Sequence, residues 1–195
     1  MTLTGLLFML GFFGGLGLAL ARHPIYGLYT YLAVFYADPP SRWWGHFLPD
    51  LRWSFTAAIV TLIAIWWRLP KIPGRQAWYS TAPAKIMIVF VIWFWILSFW
   101  ALDLRQHLGA AVLVTKYLAV YYLFYKLADS PGKITGILLA HLAGCLYLGI
   151  IAFGADASER LDGVGGPGIN DSNTLGMHLA TGVAVGAMLT LHLSK

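Results

Sequence analysis

The chain is 195 residues long, 59% hydrophobic and 11% charged, with a mean hydropathy of +0.70. Soluble domains run near 45–50% apolar and about 25% charged, so the composition excludes a separate soluble domain and marks an integral membrane protein. The formal charge of +5 reports membrane topology rather than nucleic acid, because no basic patch alternates with aromatics on a soluble surface.

Seven apolar segments follow one another. Leu3–Ala21 lacks both a basic stretch before the apolar run and an Ala-x-Ala-like cleavage site, so it is expected to stay as a first span rather than leave as a signal peptide. Pro24–Ala37 is shorter than the 17–25 residues (roughly) that a span needs, and suits a tilted, re-entrant or interfacial helix. Leu51–Trp67, Ile86–Leu102, Gly109–Leu127, Ile134–Phe153 and Asn173–Leu193 are long enough. None of the segments alternates apolar with polar residues, which leaves helices as the only way across. The expected fold is all-α: a polytopic transmembrane helix bundle of about six to seven spans, one transmembrane domain over residues 1–195. Small residues recur every fourth position at Gly11 and Gly15, at Gly136, Ala140 and Gly144, and at Gly182 and Gly186. Such spacing lets helices approach closely and predicts a packed bundle.

Loop charge sets the orientation. With the Arg68–Lys85 loop in the cytoplasm, alternation puts Arg22, Lys126, Lys133 and Lys195 on the same side, eight of the thirteen basic residues in all. Arg42, Arg52, Arg105 and Arg160 fall opposite, together with every acid except Asp129. This agrees with the positive-inside rule and sends the N-terminus and the Arg160–Asn173 loop outside. Trp43, Trp44 and Trp53 at one end of the third segment, and Trp66, Trp67, Trp78 and Tyr79 near the other, read as interfacial anchors. Trp93, Trp95 and Trp100 face lipid or pack. The one cysteine, Cys145, forms no intrachain disulfide and says nothing of compartment.

The stretch Arg160-Leu-Asp-Gly-Val-Gly-Gly-Pro-Gly-Ile-Asn-Asp-Ser-Asn173 is polar and glycine-rich, between two apolar segments. A bilayer offers its backbone no water, so it must sit at a surface or line a cavity. Gly163 to Gly168 spells G-x-G-x-x-G. No strand precedes it, no acid follows about 20 residues on, and no phosphate-loop lysine follows, so a nucleotide site is excluded. What remains is a flexible connection, or a backbone that a ligand can approach closely. In Asn170-Asp171-Ser172-Asn173 one residue is accounted for as the cap of the next helix. The rest leave room for hydroxyl or phosphate contacts at a helix N-terminus, which favours an anion. Lys116 is the one basic residue deep in a segment, roughly 10 Å from its outer end at helical rise. It serves a site or snorkels to the surface. Asp103 to His107 reads as a short outer loop in which Arg105 joins the same outer region; His107 reads as a solvated loop residue or a proton carrier. His141 and His178 are expected to face each other across the sixth and seventh helices and to be held by hydrogen bonds. No His, Cys or carboxylate pattern calls for a metal, and no cofactor motif occurs.

Three features make the chain resemble the O-antigen ligase superfamily, most of all the O-glycosylation ligases associated with the exosortase system. They are Arg22-His23-Pro24 followed by an aromatic short segment and Asp38-Pro39-Pro40, the Lys116 helix, and the Arg160–Asn173 stretch with its Gly-Pro-Gly and Asn-Asp-Ser-Asn. Ser172 stands where many members have Asn. The resemblance covers the N-terminal half of a typical member and implies that the chain is part of a longer ligase, whose catalytic histidine lies in a later outer loop. It implies an enzyme that moves a glycan from undecaprenyl diphosphate to an acceptor outside the inner membrane: lipid A core in lipopolysaccharide ligases, protein or another glycan here. On that basis Arg160 is the first expected diphosphate contact, since a guanidinium offers bidentate donors, with Lys116 and Arg105 next. Gly166, Gly168, Asn170, Asp171 and Asn173 shape the loop or touch the glycan. The general base is not identified. A polymerase with the same donor is a near neighbour. A lipid-carrier flippase, which needs a charged central cavity, and a non-catalytic scaffold are the rival classes.

Overall fold

The computed structural model describes residues 2–68, 76–155, 161–165, 169 and 171–193. Each apolar segment forms one helix: α1 Leu3–Ala21, α2 Ile25–Ala37, α3 Trp53–Arg68, α4 Ala82–Leu97, α5 Leu104–Leu127, α6 Pro131–Phe153 and α7 Ser172–Leu193. Short 3-10 turns occupy Pro39–Ser41, Gly45–Phe47 and Trp78–Ser80, and no strand occurs among the described residues. The protein is all-α, with α1, α5, α6 and α7 long and apolar enough to cross a membrane. At 13 residues, α2 is only about 20 Å long, against a hydrocarbon core of about 30 Å.

Several expected boundaries move by one to five residues, the largest shifts lying between α4 and α5. α4 stops at Leu97 and α5 starts at Leu104 rather than Gly109. The cause is Asp103, whose carboxylate accepts the Gln106 amide at 3.0 Å and caps the helix. Asp103 to His107 is therefore a cap and first turn, not a loop.

The helices fall into two compact units, residues 1–68 with 130–195, and residues 69–129. In the first, α2 is packed by α1, α3 and α6, and α7 lies against α6. Although short, α2 is the most enclosed helix, burying Ile25, Leu28, Leu32, Val34 and Tyr36. Glycines on its neighbours and one of its own make this possible. A methyl group built on Gly15 would lie 2.1 Å from the Thr30 hydroxyl, and one on Gly27 2.3 Å from that of Thr61. On Gly136 it would meet the Tyr29 hydroxyl at 2.3 Å, and on Gly144 the Tyr36 ring at 2.1 Å. Thr30 and Thr61 each donate to the carbonyl four residues back, so their hydroxyls are satisfied while facing the glycines. Because Tyr29 meets Gly136 and Tyr36 meets Gly144, α2 and α6 run parallel. At their starts, His23 Nε2 and Lys133 Nζ are 3.1 Å apart.

Two tryptophans expected at the interface are buried instead. Trp53 is 4% exposed and meets Phe8 and Phe12 edge-on at 5.3 and 4.9 Å. Trp44 is 7% exposed, against Phe8 at 5.2 Å. Edge-to-face packing of large rings stabilises α1 against α3 more than an interfacial position would. Trp43, Trp66 and Trp67 stay exposed, as anchors do.

In the second unit α4 pairs with α5. The Trp95 indole donates to Thr115 Oγ1 at 3.1 Å, and the Thr81 and Tyr121 hydroxyls are 2.8 Å apart. His107 stacks on Phe94 and hydrogen-bonds its carbonyl through Nε2 at 2.8 Å. The Phe94 carbonyl, in the last turn of α4, accepts that bond, so His107 is a fastener of this helix pair.

Overpacking the α2–α6 contact is expected to be costly. Gly144→Val should lower stability by about 1–3 kcal/mol, whereas Gly11→Ala, whose added methyl meets nothing within 4 Å, should leave it unchanged or slightly raised. Thermal unfolding of the two variants in detergent micelles checks the contrast.

Candidate functional site

The polar end of the first unit is where α2 runs into residues 38–48 and α6 into the glycine-rich stretch. α2 ends at Asp38, which adopts a left-handed conformation with φ of 40°. Pro39 disfavours the helical region for the residue before it, and Asp tolerates the alternative. The chain then folds back on itself so tightly that a side chain on Gly45 would strike the Pro39 carbonyl. This turn delivers Arg42 into the protein, 9% exposed.

Arg42 ties three elements together. Its Nε donates to the Ala37 carbonyl at 2.9 Å, at the end of α2, and its Nη2 to the Val164 carbonyl at 2.8 Å, in the glycine-rich stretch. Its guanidinium also lies over the Tyr147 ring of α6, 5.5 Å from the centroid. No carboxylate among the described residues pairs with it. By sequence alone Arg42 reads only as a loop charge. The available signal was an arginine beside Trp43-Trp44-Gly45 straight after Asp38-Pro39-Pro40, a turn too constrained for an ordinary solvated loop.

The described part of the glycine-rich stretch is built rather than slack. Gly163 has φ of +78°, a conformation that glycine adopts without penalty. Ile169 is fully buried and closes on Gly165, where an added methyl would come within 2.4 Å of the Ile169 carbonyl oxygen. Asp162 accepts the Ser172 amide at 3.0 Å. Asp171 caps α7: its Oδ1 accepts the Asn173 and Thr174 amides, each at 3.0 Å, and its Oδ2 the Thr174 hydroxyl. Asp171 is thus the capping member of the polar quartet, and Asn173 is exposed beside it. Arg160, Gly166, Gly168 and Asn170 lie outside the described residues.

Lys116 and Arg105 both belong to α5, in the second unit. They are exposed within that unit. Eleven residues of helix put them on one face, about 16 Å apart. Arg105 sits in the first turn, where the helix dipole disfavours a cation. With α5 running from Leu104 to Leu127, Lys116 lies near its middle, twelve residues from the first and eleven from the last, about 16–18 Å along the axis from either end.

A second polar group lies inside the first unit, between α2, α6 and α7. The Tyr36 hydroxyl bonds His141 Nδ1 at 2.5 Å. His141 Nε2 stands 3.6 Å from Cys145 Sγ and 3.4 Å from Thr181 Oγ1. Cys145 and Thr181 both donate to the His178 carbonyl. The two histidines are joined through this group and through the Tyr36 ring, which both approach edge-on. His178 Nδ1 is buried with no partner among the described residues. These bonds link α2, α6 and α7, an arrangement suited to fixing the helices against one another.

Chemically, the Arg42 end offers a guanidinium with spare donors, a shaped backbone and aromatic walls: features suited to an anionic or hydroxyl-rich group at a membrane surface. Comparison with protein-family models, curated proteins and solved structures finds no match to the chain.

The capping role of Asp171 is testable. Asp171→Ala should destabilise the protein by about 0.5–2 kcal/mol and speed hydrogen exchange at the Asn173 and Thr174 amides, while Asp171→Asn should retain most of the protection.

Proposed function

We propose that this chain works as a membrane glycan ligase of the O-antigen ligase type. It takes part in moving a glycan from undecaprenyl diphosphate to a glycan, lipid or protein acceptor on the periplasmic face of the bacterial inner membrane. The observation that carries the proposal is the glycine-rich stretch itself. Its Val164 is held by Arg42, its Ile169 is buried, and its Asp171 caps α7. A mere connection between spans needs none of these fixings. A loop that must present a backbone and a nearby arginine to a ligand does.

In this proposal six or seven helices cross the bilayer and the Arg42 end faces outward. Parallel α2 and α6 support that arrangement, since the second and sixth spans of an alternating chain share a direction. The charge asymmetry of the loops supports it as well.

Transfer joins an acceptor oxygen to the anomeric carbon as the bond to the diphosphate breaks. The diphosphate leaves with the electron pair, and cations already in position lower the barrier by meeting that charge. Arg160 is assigned the first contact with the diphosphate, Lys116 and Arg105 being second choices for that role. Gly166, Gly168 and Asn170 with Asp171 and Asn173 shape the loop at the glycan. The acceptor's proton goes to a base that this chain does not identify, and no metal or organic cofactor enters the scheme.

Arg160→Ala should abolish glycan transfer in the full-length protein while its membrane level persists; unchanged transfer would overturn the assignment. A cysteine at position 160, in a Cys145→Ala background, should react with a membrane-impermeant maleimide added outside intact spheroplasts. Reaction only after the membrane is opened would reverse the orientation.

A further inference from the structure

The turns between α2 and α3 enclose a small hollow of their own. It holds about 200 Å³ and is lined by Pro40, His46, Leu48, Pro49, Asp50 and Trp53, with Gly45 at its back. A water takes about 30 Å³, so the space suits one small ring rather than the ligands that fill pockets of about 300–1,000 Å³. Its frame is rigid. The two prolines fix their own φ, Gly45 packs directly on the Pro39 carbonyl, and Trp53 is set against Phe8 and Phe12 in the core.

Three polar groups line this hollow without structural employment. Asp50 stands three residues ahead of α3 and caps nothing: its carboxylate makes no hydrogen bond among the described residues. His46 is exposed, and its ring is likewise unbonded there. Trp53 is buried, yet its indole N–H has no acceptor among the described residues, although a buried indole normally finds one. Nor is that N–H sealed off, since His178 Nδ1 is the one enclosed side-chain polar atom without a partner among them. Elsewhere at this end of the unit Arg42, Asp162 and Asp171 are all engaged.

An acceptor-only carboxylate, an imidazole that both gives and takes, and an indole donor together ask for a ligand with several hydroxyls. The Asp50 charge turns phosphate away. No third metal-ligating side chain joins His46 and Asp50 among the described residues, so a metal site is not built. Leu48 and the prolines offer apolar surface to the C–H face of a ring. A pyranose presents both kinds of surface at this size.

We propose that the hollow binds one uncharged sugar ring, with Asp50 and His46 on its hydroxyls and the Trp53 N–H giving to one of its oxygens. The turn that forms it also carries Arg42 to the glycine-rich stretch. That the ring belongs to a glycan of the transfer reaction rests on the ligase reading; the binding itself does not.

Saturation-transfer NMR on the purified chain, in a detergent without a sugar headgroup, tests this with free glucose, galactose, rhamnose and N-acetylglucosamine. At least one should take saturation from the protein at millimolar concentration, and cyclohexanol, a ring with a single hydroxyl, should not displace it. Asp50→Asn and His46→Ala, both at exposed positions, should each weaken that sugar by about tenfold, as loss of a hydrogen bond to a charged or enclosed group does. Trp53→Phe keeps an aromatic ring but removes the N–H and should weaken it as well; the two exposed positions decide the matter if that variant does not fold. Saturation of none of these sugars, undiminished binding by both Asp50→Asn and His46→Ala, or displacement by cyclohexanol or inorganic phosphate would overturn the proposal. In transfer by the full-length protein, a KM raised by Asp50→Asn for the donor alone assigns the ring to the donor glycan, and for the acceptor alone to the acceptor. Unchanged KM for both would overturn the link to transfer. None of the binding results touches the ligase reading, which is judged by transfer in Arg160→Ala.

Discussion

Everything at the polar end of the first unit depends on how closely α2 is gripped. Lipid tails are as apolar as the helices, so burial supplies little drive for helix association in a bilayer. Dispersion between touching surfaces does the work, and it fades within a fraction of an ångström. Gly15, Gly136 and Gly144 on neighbouring helices, and Gly27 on α2, remove the atoms that would hold the backbones apart. Seated at this depth, α2 fixes where Asp38 turns and therefore where Arg42 enters. Arg42 in turn fixes Val164. The position of the glycine-rich stretch is thus inherited from contacts between small residues well away from it.

The polar residues divide into those that hold shape and those left free for chemistry. Asp162 and Asp171 spend their carboxylates on backbone amides of α7, and His107 spends its ring on the end of α4. Tyr36, His141, Cys145 and Thr181 bond among themselves and to the His178 carbonyl. Arg42 is intermediate, since its bonds to the Ala37 and Val164 carbonyls do not use the full capacity of a guanidinium. Lys116 and Arg105 have exposed side chains on α5 and no such structural employment visible among the described residues.

Helix existence was legible in the sequence because apolar runs of this length have no alternative to a helix. Leu3–Ala21 agrees at both ends, and six further runs each became one helix. The ends were less legible where a polar cap, rather than apolar periodicity, sets the start, as Asp103 does for α5. Burial was least legible. Trp44 and Trp53 have the composition of interface anchors, and only their packing against Phe8 and Phe12 on another helix makes them core. At the candidate site, capping by one of the Asn170–Asn173 quartet was readable from local sequence, and Asp171 fills that role. The bond from Arg42 to Val164 spans 122 positions and was not readable, because nothing in either segment announces the other. The small-residue spacing indicated close packing, but not that Gly136 and Gly144 would meet α2.

A helix of 13 residues does not reach from one headgroup layer to the other, whereas α1 and α6 beside it are long enough to do so. If α2 crosses as proposed, the deficit of about 10 Å is met at its ends, by the turns that follow it or by lipid and water drawn inward. At the Asp38 end such a dimple would carry solvent and headgroups down toward the end of α2. Hydrophobic mismatch, usually a penalty that a membrane protein avoids, would here act as the entrance that brings the surface of the bilayer to the protein's interior.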